Sequence, residues 1–328
     1  MAIYNVPKKS IGISDENWIK CGRCNTEFDL NKNNGCPLCG FSRKGSYSDL
    51  QLHEKKIPAD RGTNYLRIPK NDFKLKSGEP VIDDETQAVG SWGMFNSFFP
   101  GKAVSRILCN TLLDTKTESI TLRELVNTTT EVIIDNGLTK FRGFPNNPDK
   151  ESSIGRLVYH FIKTFAKMGL LNAYSDGRSG ESVWKEDWSN IEVSLTKEGF
   201  EFAELKNKLY DNHEASQILT TEEKKWLMDY LIKIDNMGYR EYSILKEIYT
   251  FIKEGHNGKD ELWDWFSKNH NFREYIKKDS RKANDHEAFE KQIVNLSMTF
   301  AAGKLALLRE LGFIANKRND YTILEEMK

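Results

Sequence analysis

Between Ile154 and Met168 the apolar positions return at the period of an α-helix. Ile154, Leu157, Val158, Phe161, Ile162, Phe165 and Met168 fall on one side, a face broad enough to dock into a core. At roughly 100° per residue, Arg156, His160, Lys163 and Lys167 lie within about 60° of one another on the other side, a basic stripe with no acid in it. Gly169 supplies the left-handed residue that ends such a helix. Leu170 to Tyr174 reads as a strand, and after a polar loop Ile191 to Leu195 alternates as a second one. Thr196 then caps a further helix, which should end near Asn212.

The same patterning extends in both directions. Upstream, Ala103, Val104, Ile107, Leu108 and Leu112 mark an amphipathic helix, and Thr121-Leu122-Arg123-Glu124 has the spacing of a capping box. Between glycines and a proline, Trp92, Met94, Phe95, Phe98 and Phe99 form an aromatic clasp expected to pack onto this unit. Earlier still, Tyr65 to Ile68 and Phe73 to Lys76 alternate across Pro69 to Asp72 as a basic hairpin. Arg43, Lys44, Lys55, Lys56, Arg61, Arg67, Lys70, Lys74 and Lys76 outnumber the acids there, and Asp83-Asp84-Glu85 reads as a solvated loop.

Past a polar junction from His213 to Leu219 the chain is mainly helical. Helices start at Thr220 and end at Gly238, run through Ile244 to Ile252 and end at Gly255, and carry Trp263, Trp265 and Phe266 as core aromatics. After a loop over 280–285, a long helix begins near His286. Leu311-Gly312-Phe313-Ile314-Ala315-Asn316 then echoes Met168-Gly169-Leu170-Leu171-Asn172-Ala173, and Tyr321 to Leu324 supplies a second strand.

This helix, hairpin and Leu195-Thr196-x-x-Gly199 return resembles the winged-helix DNA-binding superfamily. The resemblance reaches back to about Gly101 and implies a recognition helix, a two-stranded wing and duplex DNA as partner. The echo near the carboxyl terminus implies a second winged-helix-like unit.

Composition narrows the class. At 328 residues with 38% hydrophobic content the chain can fill two or three cores, and no apolar run approaches a bilayer span. With no signal-peptide pattern at its start, a cytoplasmic location is expected. Lys plus Arg equal Asp plus Glu at 48 each, so any contact with a polyanion must come from local patches.

Cys21-Gly22-Arg23-Cys24, eleven residues and Cys36-Pro37-Leu38-Cys39-Gly40 give two C-x-x-C knuckles. Each knuckle can point two thiolates at one ion, and four thiolates complete the tetrahedral shell of a structural zinc site. A redox C-x-x-C pair, which needs only one such motif, and a mononuclear iron site are the competing chemistries. The Cys-Pro-x-Cys-Gly form resembles the knuckle of zinc ribbons and rubredoxins. Cys109 stands alone on a helix and reads as a small core residue.

Enzyme signatures are sparse: there is no phosphate-binding glycine loop, dinucleotide fingerprint, nucleophile elbow or H-E-x-x-H. Asp60, Asp72 and Lys74 faintly resemble the PD-(D/E)xK nuclease layout, without the helices that family places around it.

The expected architecture is α+β, mainly α. It comprises a zinc ribbon over 1–50, a basic hairpin and aromatic linker over 51–100, a winged helix over 101–212 and a helical, winged-helix-like domain over 213–328. The expected function is duplex DNA binding without catalysis, as a regulator or as the recognition subunit of a larger DNA-processing or defence assembly. Cys21, Cys24, Cys36 and Cys39 would hold zinc, and Arg156, His160, Lys163 and Lys167 would face DNA, with Arg178 as a lesser contact. The alternatives are a restriction-type, metal-dependent nuclease and a scaffold that docks other protein subunits.

Overall fold

The computed structural model describes residues 18–20, 27–29, 66–68, 75–91, 95–140, 151–212, 219–280, 283–317 and 320–327. β1 (Trp18–Lys20) pairs antiparallel with β2 (Glu27–Asp29) in the register Trp18↔Asp29, Ile19↔Phe28 and Lys20↔Glu27. Cys21 and Cys24 fall between these strands in sequence, but all four candidate zinc ligands lie outside the described residues. So do Asp60, Asp72 and Lys74.

α1 (Asp84–Val89) opens with a capping box where a loop was expected: the Asp83 carboxylate accepts from the Thr86 amide, and the Thr86 hydroxyl accepts from the Asp83 amide, both at 2.9 Å. α2 (Phe99–Thr115) follows, and every residue from Phe99 to Leu112 is buried. A helix surrounded on all sides is the centre of its unit. Its polar residues are pinned by partners distant in sequence. Lys102 donates to Glu223 and to the Leu205 carbonyl. One turn on, Arg106 donates to the carbonyls of Leu66, Ala203 and Leu205 at 2.8–2.9 Å and to Asp211 at 2.6 Å. Burial, only partly offset by Glu223, pulls Lys102 down to about 8.

β3 (Ile120–Thr121) leads into α3 (Leu122–Asp135), where the Thr121 hydroxyl accepts from the Glu124 amide, one half of the expected capping box. α4 (Glu151–Lys167) comes next, then β4 (Leu171–Tyr174), β5 (Glu192–Leu195) and α5 (Lys197–Glu204). The sheet order is β3-β5-β4, antiparallel throughout, with Ile120 opposite Val193 and Leu171 opposite Leu195. Gly169, at φ 81°, turns the chain from α4 into β4. The Leu195-Thr196-x-x-Gly199 phrase has a physical basis. The Thr196 hydroxyl accepts from the Gly199 amide at 3.0 Å and lies 2.8 and 3.0 Å from the carbonyls of Leu170 and Gly169. A Cβ on Gly199 would sit 1.9 Å from the Leu170 carbonyl oxygen, so only glycine fits there.

After α6 (Lys208–Asn212), the second half contains α7 (Thr221–Asp235), α8 (Glu241–Lys253), α9 (Lys259–Lys268), α10 (His270–Asp279) and α11 (His286–Leu311). α11 ends at Gly312 and passes into the hairpin β6 (Ile314–Lys317) and β7 (Asp320–Ile323). Gly258, just before α9, bridges Asp320, and the Asn257 carbonyl accepts from the Tyr321 amide at 3.0 Å. Helix α8, a bridging residue, α9, α11 and a hairpin thus repeat the order of α2, β3, α3, α4 and β4–β5, with α10 inserted. Phe266 is core, whereas Trp263 and Trp265 are only half-buried.

The two halves are joined at several points. Trp226 of α7 stacks on Phe202, and the Tyr230 hydroxyl donates to the Met168 carbonyl. Residues 75–91 and 95–98 run across both. The Lys304 ammonium of α11 holds Glu241 and the Ser91 carbonyl, and Glu310 accepts from Ser97 and from the Phe98 amide. Of the expected clasp, Phe95, Phe98 and Phe99 are fully buried, with Phe95 edge-on to Phe98 and Phe161, and Trp92 and Met94 lie outside the described residues.

Candidate nucleic-acid interface

α4 has the two faces its sequence dictates. Ile154, Val158, Phe161, Ile162, Phe165 and Met168 are buried against α2, α3 and the sheet, while Leu157 is only half-buried. Its basic stripe is not a solvent face along its whole length. Arg156 is exposed, Lys163 is mostly covered, and His160 and Lys167 are 5% and 1% exposed. The expectation that all four face a polyanion therefore does not hold for His160 and Lys167. A helical wheel fixes angles, not what packs on each side, and two segments distant from the stripe in sequence cover it.

The first is the segment that joins β4 to β5. Its 3-10 turn, Glu181–Lys185, brings Glu181 to 2.9 Å from both the Lys163 and the Lys167 ammonium groups. Trp188 stacks on Tyr159 with centroids 4.8 Å apart and planes 12° apart, and Trp184 meets Tyr159 edge-on at 6.1 Å. Lys163 also lies 5.9 Å from the Trp184 ring centre. The second is the start of α1, where Asp83 lies 2.9 Å from Lys167 and Glu85 pairs with the same ammonium.

Charge states follow from this packing. Burial, with Arg156 and Lys163 close by, pushes His160 down to about 3, so it is neutral at neutral pH and offers no cation to a phosphate. Burial alone would lower Lys167, but Glu85 and Asp83 outweigh it and hold it above the usual lysine value. For Asp83, the Thr86 amide and Lys167 outweigh the upward pull of burial. Among the described residues, Asp83, Glu85 and Glu181 converge as ligands of a metal ion would, their oxygens within 4.8 Å of one another. The Lys167 ammonium, paired with all three, supplies the cation there.

Arg178 lies on the β4–β5 segment, exposed, 3.3 Å from Glu186 and 3.7 Å from Asp176. Residues 151–190 carry five Lys and Arg against five Asp and Glu. That stretch has no net charge, Asp83 and Glu85 make the site as a whole net negative, and its exposed cations are Arg156, Arg178 and Lys185. Sequence reasoning missed Asp83, Glu85 and Glu181. Asp83 and Thr86 have capping-box spacing that could have marked α1, whereas nothing local to Glu181 points to α4.

Cys109 is buried, its thiol pushed up to about 12 by burial, consistent with a core residue. No described helix is long and apolar enough to cross a membrane. No protein-family model matches the chain, and no characterised protein or solved structure matches it significantly.

Proposed function

We propose that this protein binds duplex DNA without catalysing a reaction on it, as a regulator or as the recognition subunit of a larger DNA-processing or defence assembly. One observation carries the reading. The order helix, short strand, helix, helix, hairpin, with the first strand beside the last, resembles the winged-helix arrangement, and the second half repeats that order around the Gly258–Asp320 bridge. In this reading α4 is the recognition helix and the β4–β5 segment its wing, with α11 and β6–β7 as the second helix and wing. Cys21, Cys24, Cys36 and Cys39 add a zinc ribbon whose metal stabilises a small module rather than reacts.

The charge that meets DNA is more dispersed than the α4 stripe. Arg156 and Arg178 provide it on the first unit. Residues 41–76, with nine Lys and Arg against four Asp and Glu, form the nearest strongly basic stretch of sequence. Protein docking is the second reading. It is favoured by the neutrality of residues 151–190 and by the half-buried Tyr159, Trp184 and Trp188 beside Arg156, the residue types that anchor protein interfaces.

A mobility-shift titration with a short duplex at about 50 mM salt separates the two readings. Wild type should bind. R156E/R178E should bind at least tenfold more weakly, since each reversal replaces a phosphate contact by a repulsion, with the fold intact because both side chains are exposed. If wild type leaves the duplex unshifted, the docking reading takes over.

A further inference from the structure

Glu181 places an anion against two lysines of α4. One carboxylate oxygen lies 2.9 Å from Lys163 and the other 2.9 Å from Lys167. Lys167 keeps Asp83 and Glu85 if Glu181 leaves, so its charge stays compensated inside the protein. Three carboxylates surround these two ammonium groups, so the cluster holds one more negative charge than it needs.

Accessibility is also uneven. The Glu181 side chain is 42% exposed, against 15% for Lys163 and 2% for Lys167. The Glu181 side chain is thus the outer member of the pair, with its oxygen toward Lys167 buried and the Lys163 pair at the rim, where an ion pair resists displacement weakly. Lys163 lies two helical turns along the same stripe from the exposed Arg156, so a backbone held by Arg156 would run toward it.

We propose that the Glu181–Lys185 turn is an autoinhibitory clasp: Glu181 holds the phosphate position on Lys163, and the DNA backbone must displace it to engage α4 fully. Lys167 stays fixed to α1 and anchors the helix whether the clasp is open or closed. This inference rests on the duplex-binding reading above and names how that same face is restrained.

The experiment measures duplex affinity against salt for wild type, Glu181→Gln, Lys163→Gln and the double variant. Glu181→Gln should tighten binding about twofold to fivefold, the range expected of a partly exposed ion pair. Lys163→Gln should weaken binding and flatten the plot of log affinity against log salt by about 0.9, one phosphate contact. In the double variant the gain from Glu181→Gln should vanish. Glu181→Asp, shorter but still charged, should tighten binding to a smaller degree, which simple charge removal cannot do. A charge-matched control, Glu204→Gln on an exposed residue of α5, should bind as wild type. Unchanged affinity in both Glu181 variants overturns the clasp, and so does a gain that persists without Lys163, while leaving DNA binding in place. If neither wild type nor any variant binds duplex, the functional reading falls and the clasp falls with it.

Discussion

Lys167 keeps its charge at 1% exposure because Asp83, Glu85 and Glu181 surround its ammonium, and this makes it a structural residue. Removing one partner of a buried ion pair leaves the others uncompensated, at a cost of about 3 kcal/mol or more. Lys167→Ala should therefore lower stability by about 3 kcal/mol in urea unfolding, and Lys167→Glu by more, because it adds a fourth carboxylate. A loss below about 1 kcal/mol would mean that the cluster is solvated and the lysine free to act elsewhere. His160 gives a pH signature. Its folded-state pKa, about 3, lies below the value near 6.5 of an unfolded histidine, so below pH 6.5 the unfolded chain takes the proton first. Stability should be fully present above that pH and fall as pH drops toward 3, with a limiting slope of about 1.4 kcal/mol per unit from this residue. His160→Leu should flatten the profile between pH 6.5 and 4.5, above the range where Asp83 titrates; an unchanged profile would show that His160 is not buried neutral.

At the scale of elements, local chemistry was legible where it was repeated along the chain. The six apolar positions of α4 with Met168 just after it, Gly169, the alternation of Ile191 to Leu195 and the Thr196 cap each carry a signal within a few residues, and the helix, hairpin and cap stand where those signals put them. α1 offered only the capping-box spacing of Asp83 and Thr86: six residues show no helical period, and Thr86 stands where Glu or Gln is usual. The central role of α2 was hidden for another reason. Lys102 and Arg106 look like surface residues until Glu223 and Asp211, more than one hundred positions away, are folded against them. The same non-locality hid Glu181 and made the α4 stripe look free. The cysteine knuckles are legible from spacing alone, and their test is chemical. Metal analysis should find one zinc per chain, lost in Cys36→Ser, while the helical circular dichroism of residues 99–328 persists after chelation; a zinc-free wild type would remove the ribbon.

At the scale of the whole molecule, buried charges join the two helix-and-hairpin units through residues 75–91 and 95–98. Lys167 holds that segment to α4, and Lys304 and Glu310 hold it to α11. Lys167 and Glu310 both stand two residues before the glycine that ends their helix. A tandem fastened in this way presents both hairpins as parts of one body, which suits a long, regular partner such as a duplex. With zero net charge overall, attraction to that partner must come from a small set of contacts, and counting them is the most direct test. The affinity of the full chain for a mixed-sequence duplex should fall linearly on a plot of log affinity against log salt. The expected slope is about −2.7 from Arg156, Arg178 and, once the clasp opens, Lys163 together, steeper if residues 41–76 also reach phosphates. A slope near zero, or no binding at low salt, would contradict duplex recognition and leave α4 as a protein-docking face.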